Sequence, residues 1–221
     1  MTFPGIITRL SVLSPAECSH IINTCKPFVE PSEVGKSDNS FLVDTETRSS
    51  KSVIIGPEDN RFTTIRPLLQ KTVESFVECT KTTFHQNIQH IEAIQFTEYT
   101  EGDFYNWHMD SSPVTPRITS ASLCLSDFRS FTGGDLSFRD MVDPETEGDE
   151  PLSVRIQQGE LAVFPSLLVH SVKPITQGTR YSLVLWSPFV DVSLDKTRRD
   201  LSQSQENEKP VMAQGQDPIV F

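Results

Sequence analysis

No stretch of this chain is apolar for long enough to cross a bilayer as a helix. No basic cluster interrupts its formal net charge of −11. The first absence excludes a spanning helix, and the second argues against a nucleic-acid groove or an anionic membrane surface as partner. The first ten residues, MTFPGIITRL, carry Arg9 and lack the apolar run of a signal peptide. Only four cysteines occur (Cys18, Cys25, Cys79 and Cys124), without a CxxC pair. Cys18 and Cys25 stand two turns apart on a predicted helix, which suits buried thiols better than a disulfide frame. A reduced, intracellular, cytoplasmic protein is expected. Neither an internal repeat nor a GxSxG occurs, so a repeat array and a serine hydrolase drop out.

What is present is enough for one domain with a sizeable core: 221 residues, among them 14 Phe. Ser14-Pro15-Ala16-Glu17 has the pattern of a capping box with proline at the first helical position. Ile21, Ile22 and Cys25 continue it, so residues 15–26 are predicted helical. From Glu58 to Phe84, apolar residues recur at three and four, which predicts a longer amphipathic helix. After Ile88 the pattern turns to short β-type runs: Ile91 to Tyr99, Ile118 to Leu125, Asp135 to Phe138, Leu152 to Ile156, Leu161 to Phe164 and Tyr181 to Trp186. Gly133-Gly134, Gln158-Gly159 and Gln177-Gly178 supply turns between them. The expected class is mainly β with flanking α-helices: a sandwich, jelly roll or barrel buttressed by its amino-terminal helices. The division expected is a helical support region over 1–87, a catalytic core over 88–190, and a polar tail over 191–221 with room for one short helix. Asp140 to Glu150 holds six acids and no base. It reads as a solvated loop, with a lid for a basic substrate as the alternative.

The chemistry lies in His108-Met109-Asp110 and a distant His170. In an extended segment residues i and i+2 point to one side, so His108 and Asp110 can converge on one ion while Met109 points away. Two imidazoles and one carboxylate occupy a face of an octahedral Fe(II) and leave open positions for a co-substrate and O2. His170 follows an apolar run from Leu161 to Val169, predicted as a strand that carries it back across the sheet. Taken alone, HxD occurs often by chance and marks a solvated turn. The other histidines, His20, His85 and His90, lack a carboxylate at i+2 and are expected at the surface.

Arg180 stands ten residues past His170, in Gly178-Thr179-Arg180-Tyr181-Ser182, where a strand begins. A surface base is the plain reading of such an arginine. Alternation, however, puts Arg180, Ser182 and Val184 on one face, and a guanidinium fork beside a hydroxyl suits a bound carboxylate.

The residues from Tyr99 through His108 to Asp110, then Arg117, Leu123-Cys124-Leu125, Gly133 to Phe138, Gly159 to Pro165, His170, Gly178, Arg180 and Trp186 resemble one family in order and spacing. It is the prolyl-4-hydroxylase branch of the Fe(II)/2-oxoglutarate dioxygenases, and the chain is most similar to the PKHD-type hydroxylases. The likeness covers residues 90–190; LSPAEC at residues 13–18 and Arg48-Ser49-Ser50 extend it more loosely. It implies a double-stranded β-helix, the jelly-roll barrel of that superfamily. It implies His108, Asp110 and His170 as iron ligands, Arg180 assisted by Ser182 on the distal carboxylate of 2-oxoglutarate, and Tyr99 and Cys124 beside the co-substrate. Tyr105, Trp186 and Arg117 are implied at the substrate mouth, with ascorbate as an accessory reductant. Cys124 stands where some relatives carry a tyrosine, a departure on that strand. The implied reaction oxidises 2-oxoglutarate to succinate and CO2 while an unactivated C–H, that of a prolyl residue in a protein or peptide, is hydroxylated.

Other readings share the barrel. The same chemistry on a small-molecule metabolite is one. A non-catalytic jelly-roll binding module would not need a complete ligand set. A cupin-type isomerase or dioxygenase independent of 2-oxoglutarate would not need Arg180. Substrate identity and oligomeric state are not legible in the sequence.

Overall fold

The computed structural model describes residues 7–9, 11–35, 41–88, 90–139 and 151–188. The acidic segment 140–150 and the tail 191–221 lie outside the described residues.

Two helices lie among the strands of the amino-terminal part. α1 (Pro15–Cys25) starts as its sequence requires: Glu17 N–H donates to Ser14 Oγ at 3.3 Å, and Ser14 N–H donates to Glu17 Oε2 at 2.6 Å. The longer amphipathic helix starts later than its periodicity suggests. Residues Asn60–Ile65 form a 3-10 stretch kinked at Phe62, and α2 (Arg66–Phe84) follows with proline in its first turn. Pro67 has no N–H to offer a preceding α-turn, which makes it a helix start. His85, left-handed at φ 54, closes α2.

The strands form two main antiparallel sheets. The larger runs Ile7–Arg9, Leu161–Pro165, Arg117–Cys124, Arg180–Pro188, Ile94–Tyr99, Lys51–Ile55, Glu30–Pro31 in spatial order. The smaller runs Leu152–Val154, Leu136–Arg139, Val169–Val172, Phe104–His108, Arg48–Ser49. The amino-terminal third thus contributes strands to both sheets as well as its helices. The fold is mainly β, a double-stranded β-helix with the helices on one face.

Alternation along the strands divides two environments. On Arg180–Pro188, Leu183 and Leu185 join a core with Leu69, Val73 and Phe76 of α2 and with Phe96. Phe76 and Phe96 are fully buried there, each contributing about 1.5–3 kcal/mol. The alternate residues Arg180, Ser182, Val184 and Trp186 turn to the other face and line a cavity between the sheets. A second apolar cluster, including Tyr99, Cys124, Phe138, Phe164 and Ile175, closes the barrel around that cavity. The apolar run 161–169 is not one strand. It breaks at Pro165, where Leu168 N–H turns back to Pro165 O at 2.9 Å, and Val169–Val172 resumes in the opposite sheet. Among the described residues no helix is long and apolar enough to cross a membrane.

Candidate active site

His108 ends the strand Phe104–His108, and His170 lies inside Val169–Val172; the two strands are neighbours and the two residues pair directly across the ladder. Asp110 is held just beyond the strand by its N–H, which donates to Ser166 O at 2.9 Å. One ligand atom from each of His108, Asp110 and His170 lies within 4.8 Å of the others. His108 Nε2 is 3.6 Å from Asp110 Oδ1, and His170 Nε2 is 3.5 Å from Asp110 Oδ2. Both imidazoles are oriented alike: His108 Nδ1 lies 2.8 Å from Asn106 O, and His170 Nδ1 lies 2.9 Å from Leu168 O. A proton on each Nδ1 satisfies those carbonyls and leaves each Nε2 lone pair turned toward Asp110.

Protonation suits metal binding. Burial pushes His170 down to about 4, against the pull of the Asp110 carboxylate, so the ring is neutral at pH 7. Burial pushes the Asp110 carboxyl up. The neighbouring imidazoles and the Ser120 hydroxyl outweigh it and hold the group ionised. The Ser120 hydroxyl also bonds Ser166 Oγ at 2.8 Å, tying the carboxylate to the segment that anchors its backbone. Two imidazoles and one carboxylate, pre-oriented, are a fitting donor set for Fe(II).

Across the cavity, Arg180 is 3% exposed and has no carboxylate partner among the described residues. Its Nη1 donates to Ser182 Oγ at 3.2 Å, and its guanidinium lies 5.7 Å from the Tyr99 ring centre. Tyr99 is its cross-strand neighbour, and Cys124 is that of Ser182. Burial pushes the Cys124 thiol up, so it stays protonated beside the guanidinium. Gly134 makes room for Arg180: at φ +67, a Cβ there would meet Arg180 Cδ at 3.1 Å and run into Ile175 Cδ1. A buried cation without an anion is costly, and this one lines the same cavity as the triad.

The residues expected at the mouth also line this cavity, whose volume is about 610 Å³. Tyr105 stacks on the His108 ring at 3.5 Å, and burial pushes its hydroxyl up to about 12. Arg117 lies 4.3 Å over the Trp186 ring, donates twice to Glu92 and gives Nη1 to Asp110 O at 3.2 Å. Its donors therefore serve the protein, and through Asp110 O they brace the metal-facing loop. One lining residue escaped reading from sequence. Arg48, 6% exposed, reaches over the Tyr105 ring at 4.8 Å, donates Nε to Ser50 Oγ at 2.7 Å and has no carboxylate partner among the described residues. Arg48-Ser49-Ser50 in the looser resemblance was the only signal for it.

Residues 94–187 match the sequence profile of the 2OG-Fe(II) oxygenase superfamily. A PKHD-type hydroxylase of Idiomarina loihiensis is 32% identical over 98 residues, covering 43% of this chain and 42% of that protein. One from Cupriavidus pinatubonensis is 33% identical over 120 residues, 51% and 49% of the two chains. The chain thus spans less than half the length of these relatives. Among solved structures, a prolyl-4-hydroxylase of Pseudomonas putida superposes with TM-score 0.64 at 19% identity, covering 84% of this chain and 93% of its own. A prolyl hydroxylase of Trichoplax adhaerens, solved with a hypoxia inducible factor peptide fragment, gives 0.67 at 18% identity, covering 90% and 87%.

Proposed function

We propose that this chain, whose residues 94–187 match the 2OG-Fe(II) oxygenase superfamily, is such an oxygenase and hydroxylates an unactivated C–H bond with 2-oxoglutarate and O2, releasing succinate and CO2. One observation carries the reading. A pre-oriented His–Asp–His set and a buried arginine without a carboxylate partner among the described residues face the same cavity. The first fits Fe(II); the second fits a dicarboxylate.

In this reading His108, Asp110 and His170 hold Fe(II), and the metal, when bound, supplies the activation of O2 for C–H oxidation. Every other contribution belongs to the chain. The Asn106 and Leu168 carbonyls keep a proton on each Nδ1, so both rings present Nε2 without rearranging. Arg180 grips the distal carboxylate of 2-oxoglutarate by its fork, with Ser182 sharing the load. Tyr99 covers the guanidinium, and the neutral Cys124 thiol fills the space beside it without competing for the anion. Phe138, Phe164 and Leu136 exclude water from the reacting end.

For substrate, a prolyl residue of a protein or peptide is our reading, supported by the names of the similar proteins. Arg48 adds a specific reason: a second buried cation, stacked on Tyr105 beside His108, can take a backbone carbonyl next to the reacting residue. Tyr105 and Trp186 form the walls, and Arg117 holds Trp186 and Asp110 in register. The decisive experiment is anaerobic loading with Fe(II), then succinate formation from 2-oxoglutarate in air, with prolyl peptides and with small-molecule candidates. Succinate that disappears in His108→Ala and in Arg180→Ala is expected, with hydroxylated prolyl peptide as the coupled product. Coupling to small molecules alone would discard the peptide reading. Failure of the wild type to bind Fe(II) and 2-oxoglutarate together would overturn the enzyme reading in favour of a binding module.

A further inference from the structure

A polar side chain that faces a cavity without a protein partner is free to bond what the cavity holds. On the larger sheet, besides the buried Trp186 indole N–H, two such side chains line the cavity. Gln95 is 7% exposed and Ser122 6%, and neither side chain has a hydrogen-bond partner among the described residues. The strand register puts both at one level. Val184 pairs with Gln95 on one side and with Ser122 on the other. Their surroundings at that level are apolar: Ile54 pairs with Gln95, and Ala162 with Ser122. An amide and a hydroxyl therefore open onto the cavity from an apolar floor, without a protein partner among the described residues.

Their distance from Arg180 suggests what they meet. Arg180, Ser182 and Val184 succeed one another on the cavity face of a single strand. A two-residue step along a strand is about 6.6–6.8 Å, comparable with the length of a five-carbon diacid. A diacid whose far carboxylate rests on Arg180 and Ser182 thus brings its keto-acid end to the level of Val184, between Gln95 and Ser122. We infer that Gln95 and Ser122 bind the 1-carboxylate of 2-oxoglutarate, the amide N–H and the hydroxyl each donating to it. The inference rests on the function proposed above and adds to it the residues that orient the reacting end of the co-substrate. Neutral donors suit that place, since they hold the carboxylate without competing with iron for it.

The test is equilibrium binding to protein loaded with Mn(II), which holds the site without turnover. Gln95→Met keeps the volume and removes the hydrogen bond; Ser122→Ala removes the hydroxyl. Losing a hydrogen bond to a charged group raises Kd about tenfold to hundredfold. We expect such a rise for 2-oxoglutarate in Gln95→Met, a smaller one in Ser122→Ala, and Mn(II) affinity and thermal midpoint as in the wild type. Binding of 4-oxopentanoate, which keeps the ketone and the distal carboxylate but lacks the 1-carboxylate, should be the same in all three proteins. A 2-oxoglutarate Kd within twofold of wild type in both variants overturns the inference and leaves the proposed function standing. So does an equal loss for 4-oxopentanoate. A wild type that binds no 2-oxoglutarate, or an Arg180→Ala variant that binds it normally, overturns the proposed function itself and this inference with it.

Discussion

Each imidazole of the proposed metal site is fixed by a carbonyl two residues upstream in its own chain, so the ring orientation is a local property of the backbone. The proposed third ligand has a firmer requirement, because nothing replaces a carboxylate between the two rings. Asp110→Gly should therefore abolish hydroxylation and metal-dependent succinate formation; full turnover in that variant would remove Asp110 as a ligand. His170 makes a second prediction, for metal-free protein. Its folded pKa of about 4 lies below the ordinary 6.5. Between those values the unfolded chain binds the proton that the folded one refuses, so stability is lost as pH falls through that window. Lowering pH from 7 to 5 should cost roughly 2 kcal/mol at this residue. Urea titrations at both pH values should show a steeper loss in wild type than in His170→Gln; equal losses would refute it.

Glycines and caps act at the level of the element. Gly134 is left-handed and packed against Ile175 and Arg180. Gly134→Ala should cost about 1–3 kcal/mol of stability. It should also weaken 2-oxoglutarate binding by displacing the arginine; an unchanged Kd in titration calorimetry would disprove that coupling. Ser14→Ala should cost about 1 kcal/mol through the lost cap of α1. Because the buried residues of α1, Cys18, Ile21 and Cys25, join the core cluster and none of α1 lines the cavity, the same calorimetry should give a wild-type Kd for 2-oxoglutarate. Elements differed in how well they could be read. α1 was legible because a capping box is local in sequence. The start of α2 was misjudged by eight residues, since the periodicity that marks an amphipathic face continues through the 3-10 stretch before Pro67. Phe104–His108 escaped notice because four of its five residues are half-buried, and no apolar alternation announces it. Leu161 to Val169 read as one strand because apolar residues continue through the turn at Pro165.

At the scale of the whole molecule, the two proposed histidine ligands sit on the smaller sheet, with Asp110 just past its edge, and Arg180 on the larger. Metal and 2-oxoglutarate together would therefore clamp the two sheets. A ligand that binds only the folded state at a hundred times its Kd adds about 2.7 kcal/mol. Mn(II) with 2-oxoglutarate should accordingly raise the thermal midpoint more than Mn(II) alone, and a chelator should reverse both shifts. A midpoint indifferent to 2-oxoglutarate would argue against a clamp.

The sequence by itself determined the donor types, the i, i+2 geometry of His108 and Asp110, and the shared face of Arg180 and Ser182. These depend on spacing within a single strand or turn. Only the tertiary structure decided that His170 pairs directly with His108, and that Arg48 and Arg180 are both buried without acidic partners among the described residues. It also decided that Gln95 and Ser122 flank Val184. Those facts arise from register between strands far apart in sequence, and a slip of one residue would turn each of these side chains to the opposite face.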